Sequence, residues 1–236
     1  MTRTVAIHQP NFFPWLGFFD KIARSDVFVV LDDVQLPRSG AGSWVNRVKL
    51  AVGGADRWAT APIRRESGLQ SIDAVQFDES QPWRRKLLAT VQAAYGKAPG
   101  YAEAGSLVEE LIANPESNLA RYNLHAIKSI ASRLGLDTDA IQPASQFGAC
   151  SSSNDLLIEL TKAVGGDAYL CGGGADGYQD DELFGAAQVS LRYQQFAHPS
   201  YQQHGTVDFI PGLSIIDALL NLGMDGTRRL IGTCAQ

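Results

Sequence analysis

Cysteine is scarce in this chain of 236 residues: there are three, Cys150, Cys171 and Cys234, odd in number and widely spaced. That spacing offers neither a disulfide framework nor metal-ligand pairs, and it fits a reducing cytoplasm. Long apolar runs are missing as well, so no segment reads as a bilayer span and no membrane insertion is expected. Met1 to Thr4 lead straight into a strand pattern without an apolar signal region, which argues against secretion. Positive charge is not in excess: 20 Lys and Arg stand against 25 Asp and Glu, a net charge of -5. This argues against a dedicated nucleic-acid binder while leaving room for a local basic patch. Repeats, low-complexity tracts and linkers are absent too. What is there is an ordinary globular composition, 45% hydrophobic and 19% charged, long enough to bury the core of one α/β domain over 1–236.

The apolar pattern predicts alternating strands and helices. Residues 4–7 read as a strand and 14–24 as a helix opened by Pro14, with Leu16, Phe19, Ile22 and Ala23 on one face. Val27 to Leu31 is a continuous apolar run, the pattern of a strand covered on both sides. Together these make a βαβ unit. Alternation over 44–52 and 57–63, around Gly53-Gly54, predicts a hairpin. Residues 80–135 turn helical, with Arg84, Arg85 and Lys86 as a basic face. Beyond them the pattern predicts a helix over 152–164 capped by Ser153 or Asn154, a strand over 168–171, and a helix over 181–187. A last strand over 189–196 and a helix around 215–222 follow. The expected fold class is α/β: a mostly parallel, Rossmann-like sheet with a helical insertion at about 80–135.

Chemistry-bearing residues gather at the predicted strand ends. His8 and Gln9 close the first strand and run into Pro10, with Pro14-Trp15-Leu16-Gly17 just beyond, a rigid aromatic frame for an acid/base imidazole. Asp32 and Asp33 close the second strand; adjacent residues point to opposite faces, so at most one of them faces a site, and capping of local backbone is the default for one of the pair. On the next strand Arg47 and Lys49 share a face suited to an anion, and Asn46 lies on the other; a solvated edge strand accounts for the same charges. Gly172-Gly173-Gly174-Ala175 can cradle an anion or simply turn. His198-Pro199, Tyr201 and Gln202 form a second histidine cluster. Ser214 is a natural N-cap for the last helix, with Asp217 placed to complete a capping box, and that helix start can also receive an anionic group. Cys150 and Cys171 have no sequence neighbours that would activate them and read as structural.

An ordered set of segments carries a resemblance. It comprises His8-Gln9-Pro10 with Pro14-Trp15-Leu16-Gly17, Asp20-Lys21-Ile22, Ser25-Asp26 through Asp32-Asp33, and Asn46-Arg47. Trp58 with Pro62, Tyr95-Gly96-Lys97-Ala98-Pro99, Asn118, Tyr169-Leu170, Tyr178, His198-Pro199, Tyr201-Gln202 and Leu213-Ser214-Ile215-Ile216-Asp217 complete it. Over nearly its whole length the chain resembles the WbqC-like family, associated with O-antigen and related biosynthetic gene clusters. Cys171 departs from the serine that the family pattern has there. The resemblance implies an amide-forming acyl- or aminoacyltransferase acting on the amine of an amino sugar or related intermediate. The donor would be a thioester on an acyl carrier protein or coenzyme A, or an aminoacyl-tRNA, and the basic face of 84–86 could dock an acidic carrier. In that reaction His8 is the first candidate base and His198 the second, Asp33 binds the amine, and Gln9, Asn46 or Tyr201 donate to the oxyanion. Trp15, Arg47, Lys49, Gln202 and Ser214 complete the expected substrate contacts. The first βαβ unit also resembles the layout of HIGH-motif nucleotidyltransferases such as pantoate–β-alanine ligase, which implies an ATP-dependent ligase as an alternative. Pro14 and Gly17 stand where that motif has its turn, without a second imidazole. A non-catalytic metabolite-binding accessory protein is the third reading. No cofactor is specified.

Overall fold

β1 (Thr4–His8), α1 (Leu16–Ala23) and β2 (Val27–Val30) build a parallel βαβ unit in which Val5 lies opposite Val27 and His8 opposite Val30. This computed structural model describes residues 2–37, 44–64, 66–172 and 179–231. Gly173, Gly174, Ala175, Tyr178 and Cys234, singled out above, lie outside them. A separate antiparallel hairpin follows, β3 (Arg47–Val52) and β4 (Ala55–Thr60), closed by Gly53 and Gly54 at φ 64° and 77°. Positive φ at both turn residues is what a two-residue hairpin loop requires, and glycine supplies it without strain. Three helices come next, α2 (Trp83–Tyr95), α3 (Tyr101–Ala113) and α4 (Leu119–Arg133), before the chain rejoins the sheet at β5 (Ile141–Pro143). It then runs through α5 (Ser153–Ala163), β6 (Ala168–Cys171), α6 (Asp181–Ala186), β7 (Ser190–Tyr193) and α7 (Ile215–Leu230).

The main sheet has five strands in the order β5-β2-β1-β6-β7, paired in parallel throughout. The chain lays strands outward on one side of β1 and returns to add the others on its far side. The order therefore reverses between β1 and β6, and in open α/β sheets ligands bind outside the carboxyl ends at such a reversal. Alternate residues feed two buried layers. Val5, Ile7, Val27, Val29, Tyr169 and Cys171 pack with Leu160 of α5 and Phe184 of α6; Ala6, Phe28, Val30 and Leu170 pack with α1, α4 and α7. Coverage of both faces explains the continuous apolar runs of β2 and β6. Among the described residues no helix is long and apolar enough to cross a membrane.

Several boundaries differ from the sequence pattern. β5 is an unanticipated edge strand of three residues ending on Pro143, too short for a periodic signal and placed where proline is tolerated. The N-cap of α5 is Ser152, not Ser153 or Asn154, and its side chain makes no capping bond. α7 continues to Leu230 across a break at Gly223, where φ is 69°. The backbone there comes so close to Gly100 that a Cβ on Gly100 would lie 2.4 Å from the Gly223 nitrogen.

One buried amide joins the helical insertion to the sheet. Asn123 of α4 is fully buried, and its Nδ2 donates to the carbonyls of Pro10 (2.8 Å) and Val45 (2.7 Å). Asn123→Ala leaves both carbonyls unpaired in a water-free setting, and the expected loss of unfolding free energy is about 2–4 kcal/mol. Urea unfolding of the variant measures it; a change below 1 kcal/mol, on the order of one ordinary hydrogen bond, would contradict this account.

Candidate active site

β1 pairs with β6 only as far as Ala6 opposite Leu170. Past that point the strands part, and the Ile7 carbonyl is taken by a side chain instead: the Lys21 ammonium donates to it at 3.0 Å. Lys21 sits on α1, is 2% exposed, and lies 5.8 Å from the Tyr169 ring centroid. Burial pulls its pKa down to about 8, opposed by the nearby Cys171 thiol. A lysine poised this close to neutrality at a strand-order reversal is unusual, because burying an ammonium is costly.

His8 lies at the same strand end. Its Nδ1–H donates to the Gln9 carbonyl at 3.0 Å, which leaves Nε2 as the acceptor nitrogen. Burial and then the Lys21 charge lower its pKa to about 4, so at neutral pH the imidazole is uncharged. The ring packs edge-on against Phe18, with centroids 5.1 Å apart. Three residues earlier, at the N-cap of α1, Trp15 touches the other expected histidine, His198, with centroids 5.3 Å apart. Both imidazoles thus rest on aromatic rings at the start of α1, one at its N-cap and one in its first turn. Phe196 completes the group around Trp15 and His198. His198 accepts a long hydrogen bond from Gly212 N–H at its Nδ1 (3.4 Å), so its Nε2 carries the proton; burial lowers its pKa. One imidazole is arranged to accept and the other to donate.

The turn between His8 and α1 is held in an unrelaxed shape. Phe13, fully buried, has φ 44°, a region that bulky residues rarely enter. Phe12 N–H donates to Trp44 O at 2.7 Å, and Ile215 N–H to Pro14 O at 2.8 Å. Ser214 Oγ donates to Phe13 O at 2.8 Å and accepts from Ile216 N–H, so this expected substrate contact is a brace and helix cap. Trp15 folds back over Gly17, where a Cβ would lie 1.9 Å from the indole; only glycine fits beneath it. From the far side, Gln194 donates to the Gly17 carbonyl and to Asp20, tying the end of β7 to α1.

The remaining expected residues divide. Asp33 is half-buried beyond the end of β2, its pKa raised by burial and then by Asp32. Asp32 accepts from the Ser145 backbone and hydroxyl, 113 residues away, a long-range tie in place of the local cap expected of one aspartate of the pair. Arg47 and Lys49 do share a face, but it is the face of Trp58: the guanidinium lies 4.1 Å from the indole centroid, and Lys49 pairs with Asp56 at 2.8 Å. Asn46 Nδ2 donates to Ala61 O at 2.9 Å. Tyr201 donates to Asp217 at 2.7 Å, and Gln202 is exposed. Asp217 does not close a capping box: its carboxylate accepts from Tyr95, Tyr201 and Gln203, a buried knot around one carboxylate. Lys21 is the site residue that residue-by-residue reading passed over. The signal was a lysine in the middle of an apolar helix pattern, between Phe19 and Ile22.

The model of the WbqC-like protein family matches residues 9–229. The chain belongs to the WbqC-like family. A curated relative, the Uncharacterized protein Rv1507c of Mycobacterium tuberculosis (strain ATCC 25618 / H37Rv), is 26% identical over 226 residues, covering 94% of this chain and 95% of its own. No solved structure matches. In this WbqC-like chain the matched segment takes in Gln9, Trp15, Lys21 and the whole return loop between β7 and α7 (194–214), leaving His8 one residue outside it.

Proposed function

We propose that this WbqC-like protein is a biosynthetic enzyme that uses the carboxyl ends of β1 and β6, where the two strands part, to form an amide in the Rossmann-like manner. It would transfer an acyl or aminoacyl group to the amine of an amino sugar or related small molecule. The observation that carries the reading is the buried Lys21 ammonium beside a neutral His8 where the sheet reverses its strand order. Asp33 receives the incoming amine. As its nitrogen bonds to the acyl carbon, the tetrahedral intermediate carries an acidic N–H that His8 Nε2 accepts. The oxyanion is met by Lys21 and by the Nε2–H of His198. When the carbon–leaving-group bond breaks, the proton held by His8 passes to the leaving group. A carrier-protein or coenzyme A thioester, or an aminoacyl-tRNA, would be the donor.

The test combines the purified protein with a nucleotide-linked amino sugar and each donor class, with the amide read by mass spectrometry. His8→Gln is expected to lower turnover by about 100-fold or more. Product formed equally well by His8→Gln would remove the base, and pyrophosphate release that depends on the amine would favour an ATP-dependent ligase instead.

His8 also predicts a pH dependence. Its folded pKa of about 4 lies below the ordinary 6.5, so its neutral form contributes stability above pH 6.5. That contribution is lost as pH falls from 6.5 towards 4. Between pH 7 and pH 4.5 the natural protein should lose about 2 kcal/mol more than His8→Gln, measured by urea unfolding at both pH values.

A further inference from the structure

The hairpin has an unusual inward face. Ala55, Arg57 and Ala59 of β4 lie opposite Val52, Leu50 and Val48, and Ala61 follows on the same side. A sheet face packed on a helix ordinarily carries larger side chains than three alanines. Here the missing volume opens against α2 as a cavity of about 450 Å³. Its body is apolar, formed by Leu50, Ala59 and Ala61 on one wall and Trp83 and Leu87 on the other. Each wall also contributes an exposed cation, Arg57 from β4 and Lys86 from α2, and neither makes an ion pair among the described residues. The cavity is distinct from the β1–β6 strand end, because none of its lining residues comes from β1, α1 or β6.

We propose that this cavity is a binding site for an anionic amphiphile: an acyl chain lying between β4 and α2, with its carboxylate or phosphate head held by Arg57 and Lys86. An apolar slot of this volume suits a medium-length chain. Two like charges lining one cavity, one on each wall, are relieved by an anion and aggravated by a cation. The site needs no assumption about the chemistry at His8.

The test is titration calorimetry with decanoate, decyl phosphate and decylamine below their micelle concentrations, with indole emission followed in parallel because Trp58 and Trp83 line the cavity. Both anions, or one of them, should bind, the arms telling carboxylate from phosphate, and decylamine should bind at least tenfold more weakly. Ala59→Phe, which fills the slot, should abolish binding. The double variant Arg57→Glu with Lys86→Glu should weaken it tenfold or more; both positions are exposed, so this variant decides the matter if Ala59→Phe does not fold. The proposal is overturned if neither anion binds, if decylamine binds as well as the anions, or if the charge-reversed variant keeps full affinity.

Discussion

Lys21→Met is expected to lower turnover by about 100- to 1,000-fold, the usual effect of removing one donor that meets a developing oxyanion. Methionine has a similar length and suits the buried position, so the fold should survive the loss of the bond to the Ile7 carbonyl. A pH series separates the catalytic effect from a packing effect. The folded pKa of about 8 lies below the ordinary 10.5, so Lys21 contributes stability above pH 10.5 that is lost as pH falls through 8. Unfolding free energies of the natural protein and Lys21→Met should therefore converge or cross with pH, the natural protein gaining about 2–3 kcal/mol relative to the variant between pH 7 and pH 10. Parallel stability curves together with unchanged turnover would show that Lys21 has neither role.

Asp217→Ala, in the first turn of α7, should be strongly destabilising, at about 3–5 kcal/mol. Its carboxylate is fully buried and accepts from Tyr95 at 3.0 Å, Tyr201 at 2.7 Å and Gln203 at 3.0 Å. Tyr95 in turn accepts from Ala51 N–H at 2.8 Å, so the knot joins α2, the hairpin, the return loop and α7. Burial raises the Asp217 pKa while its donors hold it down, and alanine would leave three buried donors without an acceptor. Asp217→Asn keeps one acceptor oxygen and should cost about half as much. Urea midpoints decide; equal midpoints for Asp217→Ala and the natural protein would mean that the knot is already open in solution.

Elements with a strong local period were legible in the sequence. Ala168–Cys171 begins and ends where the apolar pattern places it, Trp83–Tyr95 opens the helical stretch expected over 80–135, and the glycine pair between β3 and β4 marked its hairpin. β5 escaped because three residues carry no period. The site was legible only where chemistry and strand ends coincide, as at His8. Long-range pairing hid the rest: the Asp217 carboxylate turns away from its own helix start to meet Tyr95, 122 residues distant. Arg47 and Lys49 were placed on one face correctly, but Trp58, which occupies that face, comes from the facing strand. Lys21 looked like an ordinary helix residue until β1 and β6 were seen to part beside it.

The braced turn at Pro10–Pro14 has a consequence for how the protein is made. Its carbonyls are held by Asn123, 113 residues away for Pro10, and by Ser214, 201 residues away for Phe13. A nascent chain that has emerged only through β2 can pair its strands but cannot hold Phe13 in its strained conformation. The candidate site is expected to form late in synthesis, once α7 has left the ribosome, so chains stalled before Ser214 should be compact but without the assembled site.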